Sequence, residues 1–364
     1  MVYIAIMLMS MLAAMLYTRV SDSGRVCMLG TKIFEIKYQK IVAWFFVFFP
    51  LFFPAAIRYG IGTDYFYTYY PIFNRILAGG RGFNEAGFTW LTEQLTKVSD
   101  DPQILFVVTS LVTVGITTIF LCRYSTRPAL SVFLYVMGGY YLFGLSGVRQ
   151  ALATAIFVFS IQYIQQRKVI KYYICILLAA SIHTMALGYL AAYFLYRIDW
   201  KPKTRIMLVC GAFAIRPLLS KFIRLIISYT PYSWYIGSKY DRNEDALLLQ
   251  LMCIGLFAFG LLAVEMSRNL ESNCREDAQF YLNLHMIGVV CSSLIGVVPV
   301  GGRVTYLTFF MAFASVPSFL NLVSKRRNRI IMEMLLIAAF IVYWVYVYFL
   351  HNAEGVLPYQ SIFS

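Results

Sequence analysis

A chain of 364 residues that is 60% hydrophobic and only 13% charged cannot cover its apolar side chains with polar ones; soluble proteins run at about 45–50% apolar and about 25% charged. Soluble domains are therefore excluded, and with no long polar stretch left over, one membrane domain over residues 1–364 is expected. The net charge of +14 lies in short loops between apolar runs, which makes nucleic acid a poor fit as a partner.

The first apolar run, Val2 to Tyr17, has no basic leader and no small-residue cleavage site, so it reads as a retained span. A basic loop with Arg19, Arg25, Lys32, Lys37 and Lys40 follows, then the apolar run from Ile41 to Ile57 with Pro50 and Pro54 inside it. The longest outer loop is expected at about 58–101. Leu247 to Met266, Phe280 to Val298 and Ile330 to Leu350 also have roughly the 17–25 residues that a spanning helix needs.

Lys and Arg concentrate in cytoplasmic loops. Arg123 with Arg127, Arg167 to Lys171, Arg197 to Arg205, Arg268 with Arg275, and Lys325 to Arg329 join the first basic loop on that side. Both termini then lie outside. The stretch from Lys171 to Arg197 keeps this order only as a hairpin, because basic clusters flank it at both ends. Each arm has about 12 residues, or about 18 Å at 1.5 Å per residue, against a hydrocarbon core of ~30 Å. Two short, broken helices meeting near His183 are predicted, in backbone that must be buried in protein or line a wet cavity. The fold class is all-α and polytopic, with about 12 membrane helices.

The seven cysteines are scattered, odd in number and without CxxC spacing, so apolar filler is expected rather than a disulfide framework or a metal site. No P-loop, GxGxxG or HExxH motif is present, and no cofactor, metal or direct use of ATP is implied.

The polar residues that interrupt the apolar pattern fall mostly on the outer side. Arg58-Tyr59-Gly60-Ile61-Gly62-Thr63-Asp64-Tyr65 follows the second span, with Tyr67, Tyr69 and Tyr70 after it. Arg58 offers a donor fork suited to phosphate; Asp64 can accept a proton or a sugar hydroxyl; the tyrosines suit sugar stacking or an interfacial belt. Glu85, in the outer loop, is a second carboxylate. Arg149 and Gln150 stand at the start of a clean apolar helix, where free backbone donors and the dipole favour anions. His183 marks the hairpin apex, and an ionisable group at that depth points to function; its imidazole is a candidate general base, with Asp64 as competitor or orienting partner. His285 and His351 read as structural or peripheral. Arg216, Lys221 and Arg224 fall within about 140° of arc on one helix, and Arg303 follows a Gly pair, with Tyr306 three residues on. Arginines gathered at an outer cavity imply an anionic, lipid-borne substrate.

These motifs resemble the EpsG family of Wzy-type O-antigen and capsule polymerases. The resemblance lies in Arg58-x-Gly-x-Gly-Thr-Asp64-Tyr65, Glu85-Ala-Gly87-Phe88, Gly147-Val-Arg149-Gln150-Ala151-Leu152-Ala153, His183-Thr-Met-Ala186, Arg303-Val-Thr-Tyr306 and Pro358-Tyr359-Gln360, in that order. Asn84 stands where the family often has an aromatic residue. The resemblance implies an architecture like that of GT-C-type, lipid-using glycosyltransferases. It implies a metal-independent, inverting transfer of a growing glycan from undecaprenyl diphosphate to the non-reducing end of a lipid-linked repeat unit, at the outer leaflet of a bacterial cytoplasmic membrane. Arg149, Arg303, Arg58 and Arg216 would meet the diphosphate, His183 or Asp64 the proton, and Glu85, Tyr65, Tyr67, Gln150 and Tyr306 the sugars. A flippase and a chain-length regulator accompany such systems. The alternatives are a lipid-linked oligosaccharide flippase and a ligase-like transferase. A transporter needs a polar route to both faces and usually two related halves, and no internal repeat is visible.

Overall fold

The computed structural model describes residues 2–20, 38–196, 198–230, 233–238, 241, 247–267, 273–299 and 301–364. Of the residues used above for orientation, Arg25, Lys32, Lys37, Arg197 and Arg268 lie outside the described residues, as does Cys27. Among the described residues there is no β-strand, only an isolated bridge between Arg58 and Ser361. The chain is an all-α, multi-pass membrane protein. Five described helices are long and apolar enough to cross a membrane alone, or eight when each bent pair counts as one span.

The chain divides into two compact units, Met1–Tyr193 with Phe340–Ser364, and Phe194–Ala339. In chain order the first unit holds α1 (Val2–Val20), α2 (Tyr38–Ile57), α3 (Tyr70–Leu77), α4 (Ala86–Thr96), α5 (Gln103–Tyr124), α6 (Pro128–Met137), α7 (Tyr140–Ser146), α8 (Val148–Gln165) and α9 (Val169–Ile182). The 3-10 segment Thr184–Ala191 then runs into the one-turn helix α10 (Ala192–Leu195). α1 packs on α2 and α6, and α5 on α2 and α8.

The predicted hairpin is present. α9 ends at His183, and the segment after it folds back along α9, so that the Tyr172 hydroxyl donates to the Tyr189 carbonyl at 2.5 Å. Tyr189 stacks flat on Phe157 of α8, ring centres 3.7 Å apart. Neither arm is long enough to cross alone. Ile182 and Ala186 on either side of the break are buried, while His183 is half-buried and Thr184 exposed.

The last turn of α2 shows how the outer end is tied together. A helix leaves its final carbonyls without intrahelical donors. Here Pro54 accepts from the Tyr359 hydroxyl at 3.0 Å and Ala55 from an Arg58 Nη. Ala56 accepts from the Gln103 amide at 2.5 Å and Ile57 from the backbone N–H of Ile362 at 2.9 Å. Two distant segments, the start of α5 and the chain's tail, thus cap one helix beside the local Arg58.

Helix polarity sets the charge distribution of unit one. Arg58, Gln103, Arg149 and His183 mark the end where α2 and α9 finish and α5 and α8 begin; Lys40, Arg123, Arg167 and Lys171 mark the opposite ends of the same helices. The Tyr3 hydroxyl donates to the Val356 carbonyl at 2.9 Å, so both described chain ends share the Arg58 end.

The second unit holds α11 (Pro202–Ala214), α12 (Arg216–Ser228), α13 (Leu247–Met266), α14 (Asn273–Ser292), α15 (Gly301–Phe309) and α16 (Ala312–Leu322). α17 (Arg326–Trp344) then returns to unit one and ends in a π turn, Val345–Leu350. α13 and α14 pack together, and both meet α16. Cys274, at the start of α14, is disulfide-bonded, which departs from the expectation of apolar filler. Arg205, counted above as a loop charge, is fully buried in α11 and donates Nε and an Nη to Asn283 Oδ1 at 3.3 and 3.1 Å. Asn283 in turn donates to the carbonyls of Leu195 and Ile198, both at 2.8 Å. Asn283→Leu is expected to destabilise the protein by about 1–3 kcal/mol, because it removes an acceptor from a buried cation; thermal unfolding in detergent reads this, and an unchanged midpoint would deny the knot its role.

Candidate functional site

The residues after α2 must turn sharply. Gly60 and Gly62 do so with φ of +64° and +95°, open to glycine at no steric cost. The turn lies against two other segments. A Cβ on Gly62 would stand 2.6 Å from the Leu145 carbonyl oxygen, and Thr63 Oγ1 is 2.9 Å from Ser146 Oγ. On the far side Gly62 N–H donates to the Gly355 carbonyl at 3.0 Å and Thr63 N–H to the Glu354 carbonyl at 3.1 Å. The chain after Val345–Leu350 is bent for this by Asn352. Its side-chain oxygen accepts from the N–H groups of Val356 and Leu357 at 2.9 and 3.0 Å. These bonds reach four and five residues along the chain and hold the tail's bend toward the Gly62 turn.

Arg58 is placed otherwise than the sequence suggested. It is fully buried, its Nη1 donates to Ala55 and, at 3.0 Å, to Ser110 Oγ, and its Cζ lies 4.7 Å from the centre of the Phe106 ring. Burial pushes the guanidinium down to about 10, still charged at neutral pH. Arg58 therefore braces the turn rather than facing an opening. Tyr65 is buried too, stacked on Phe106 at 4.3 Å and donating to Gln103 at 3.1 Å. Tyr67 is 89% exposed, open to a partner or to the interface.

Asp64 is half-buried at the start of the π turn Tyr65–Tyr69. That turn carries Tyr69 inward, where its hydroxyl accepts the backbone N–H of Arg149 at 3.3 Å. This N–H is one of the unpaired donors of the α8 N-terminus. The Arg149 side chain reaches Glu85 at 2.5 Å, and its Cζ lies 5.1 Å from the centre of the Phe83 ring. The pair is asymmetric: the arginine side chain is 21% exposed, the carboxylate 8%. Arg149 Nε is buried with no acceptor. Gln150, next along α8, is buried.

The segment carrying Glu85 also packs on the hairpin apex. A Cβ on Gly87 would stand 2.8 Å from the Ser181 carbonyl oxygen, so only glycine lets α4 approach the end of α9 this closely. His183 follows two residues later, half-buried, with Nδ1 accepting the N–H of Met185 at 3.3 Å. A neutral imidazole that accepts at Nδ1 carries its proton on Nε2. A neutral His183 held in this way offers the Nε2 proton rather than Nδ1 to a ligand.

Unit one thus gathers Asp64, Glu85, Arg149 and His183, together with Tyr69 and Phe83, at one helix end. The remaining candidates lie in unit two. α12 bends away from α11 by 69° and turns its polar face inward. Arg216 donates to the Ile295 carbonyl at 2.8 Å, Arg224 to that of Val297 at 2.8 Å, and Arg224 grips Asp241 with both Nη groups. Leu218, Phe222 and Leu225 face outward at 71, 58 and 55% exposure. These carbonyls belong to the turn between α14 and α15. Arg303 is half-buried in the first turn of α15, where Gly301 lies close against Leu294, and Tyr306 stacks on Phe310 at 4.8 Å. Arg216, Arg224 and Arg303 therefore border one loop.

A carboxylate–arginine pair at a helix N-terminus, a glycine turn ending in Asp64 and an interrupted helix ending in His183 coincide with the stretches on which the resemblance rests. The model of the EpsG family matches residues 41–361. The chain belongs to the EpsG family. No curated protein and no solved structure matches it. The match embraces α2 through the tail, including every site element of this EpsG-family protein.

Proposed function

We propose that this EpsG-family protein is a polysaccharide polymerase. It transfers a growing glycan from undecaprenyl diphosphate to the non-reducing end of a lipid-linked oligosaccharide repeat unit, at the outer leaflet of a bacterial cytoplasmic membrane. The observation that carries this reading is Arg149: a partly open guanidinium at a helix N-terminus, beside two carboxylates, at the end of unit one away from Lys40, Arg123 and Arg167. Basic loops mark the cytoplasmic side, so the Arg149 end and both termini face the periplasm.

In the reaction an acceptor hydroxyl oxygen attacks the anomeric carbon from the face opposite the leaving group. The bond from that carbon to the diphosphate oxygen breaks, the electron pair stays with the lipid diphosphate, and the hydroxyl proton passes to the protein. The configuration inverts. Negative charge builds on the leaving oxygens, where preorganised cations give the largest catalytic term. Arg149 supplies it in unit one; Arg303 and Arg216, by themselves in unit two, are further candidates for an anionic group. Arg58 acts from behind, by holding the turn that presents Asp64. Tyr67, Tyr306 and Gln150 are assigned to the glycan and its surroundings. No metal is required, and a flippase and a chain-length regulator are the expected protein partners.

The test uses purified protein in detergent with undecaprenyl-diphosphate oligosaccharide, no nucleotide, and EDTA. A ladder of longer lipid-linked glycans is expected. Intact substrate, together with flipping in liposomes, would move the assignment to a transporter, which the three bent helix pairs would also suit. For His183 the donor role predicts a split between variants. His183→Gln keeps an amide donor near Nε2 and stays within about tenfold of wild type, whereas His183→Ala loses about 1.5–3 kcal/mol of stabilisation, roughly 10- to 150-fold in rate. Equal, complete loss in both would restore His183 as the base.

A further inference from the structure

The pairing of Glu85 with Arg149 has a chemical consequence beyond holding a loop. We propose that Glu85 is the catalytic residue that takes the acceptor's proton, and that the substrate's own diphosphate releases it by drawing Arg149 away. This rests on the polymerase reading.

Three observations carry it. First, the donor needed by the diphosphate and the candidate base are bonded to each other, at 2.5 Å. A carboxylate held by a guanidinium is a poor proton acceptor. Secondly, the exposure is unequal: Arg149 is the open member and has a buried Nε without an acceptor, while Glu85 lies beneath. An incoming diphosphate meets the arginine first, and its oxygens match the guanidinium fork as well as a carboxylate does. Once Arg149 turns to it, a buried carboxylate remains without its counter-charge. Such a group favours the protonated form, which is what a base about to receive a proton requires. Thirdly, the rivals are less suited. His183 uses Nδ1 to accept the Met185 N–H. Asp64 is only half-buried, at the start of the π turn. The groups around Glu85 are Arg149, the ring of Phe83 beneath the guanidinium, Tyr69 on the Arg149 backbone, and the Gly87–Ser181 contact leading to His183.

The step balances. The acceptor O–H loses its proton to a Glu85 carboxylate oxygen as its oxygen bonds the anomeric carbon. The lipid diphosphate departs with the electron pair of the broken bond, paired to Arg149. Loss of the diphosphate lets Arg149 return to Glu85, which expels the proton to water.

Glu85→Gln separates the roles, because the amide oxygen still accepts from Arg149 but takes no proton. Two quantities are measured: the affinity for farnesyl diphosphate as probe, and single-turnover transfer with saturating undecaprenyl-diphosphate oligosaccharide. The expected result is affinity equal to or tighter than wild type, with transfer slowed about 100-fold or more. Glu85→Ala with added formate, a small external carboxylate, is expected to recover part of that loss; this recovery a purely structural role would not show. Transfer by Glu85→Gln within threefold of wild type overturns the proposal, as does a loss of affinity that accounts for the whole effect. Wild-type protein that binds the probe yet transfers nothing overturns the polymerase reading itself.

Discussion

Arg149→Ala is expected to lower single-turnover transfer by about 100- to 1,000-fold, the usual consequence of removing one preorganised donor from a developing oxyanion. Two effects overlap in this variant and can be separated. The guanidinium is lost from the leaving group, and Glu85, 8% exposed, loses its counter-charge in the resting protein. Removing one partner of a buried pair is destabilising in its own right. The double variant Arg149→Ala with Glu85→Gln therefore recovers thermal stability relative to Arg149→Ala while remaining inactive. Arg149→Lys keeps the charge but not the planar fork or its place over Phe83, and falls between wild type and alanine. Near wild-type transfer by Arg149→Ala would remove this residue, and with it the main support for the diphosphate site.

Gly62→Val is the second variant with a large expected effect. At φ of +95° any side chain is strained, and here it would also meet the Leu145 carbonyl at 2.6 Å and Ser146 Cα at 2.8 Å. Strain of this kind costs about 1–3 kcal/mol, and backbone has to move to relieve the overlap. The movement pulls Thr63 from Ser146 and carries Asp64 with it, so transfer should fall at least about tenfold, since small misplacements in a site are costly. Gly79 provides the control: its φ is +76° but nothing lies within 4 Å of the added carbon. Gly79→Ala bears only the conformational cost of about 1–2 kcal/mol and should transfer normally. If both variants lose activity alike, backbone strain rather than the Leu145 contact is responsible.

Some of this architecture was legible in the residues because a single physical constraint decided it. The hairpin at His183 followed from arms too short for the hydrocarbon core between two basic clusters, and the break lies there. Arg149 could be read as a helix N-terminal cation because Gly147 precedes it and an apolar helix follows. The burial of Arg58 could not be read from the sequence. A surface phosphate ligand and a buried cap for the helix just ended look alike in sequence, and the difference is made by Gln103, Ser110 and the tail, all remote along the chain. α12 shows another limit. Its two faces are plain from spacing, but lipid and protein interior both accept an apolar face, so spacing does not say that the arginines turn inward to Ile295 and Val297. The Glu85–Arg149 pair spans 64 residues and was visible only as two separate candidates.

The cap on α2 also sets a clock. Tyr359 and Pro54 are 305 residues apart in sequence. At about 5–20 residues per second of synthesis, the last turn of α2 and the Gly60–Asp64 turn wait roughly 15–60 s for the segment that completes them. Through that interval the membrane holds a chain whose helices are inserted but whose outer end is unfinished. A chain that ended before Asn352 would lack both the Tyr359 hydroxyl on Pro54 and the Gly355 and Glu354 carbonyls that hold the Gly62–Thr63 turn.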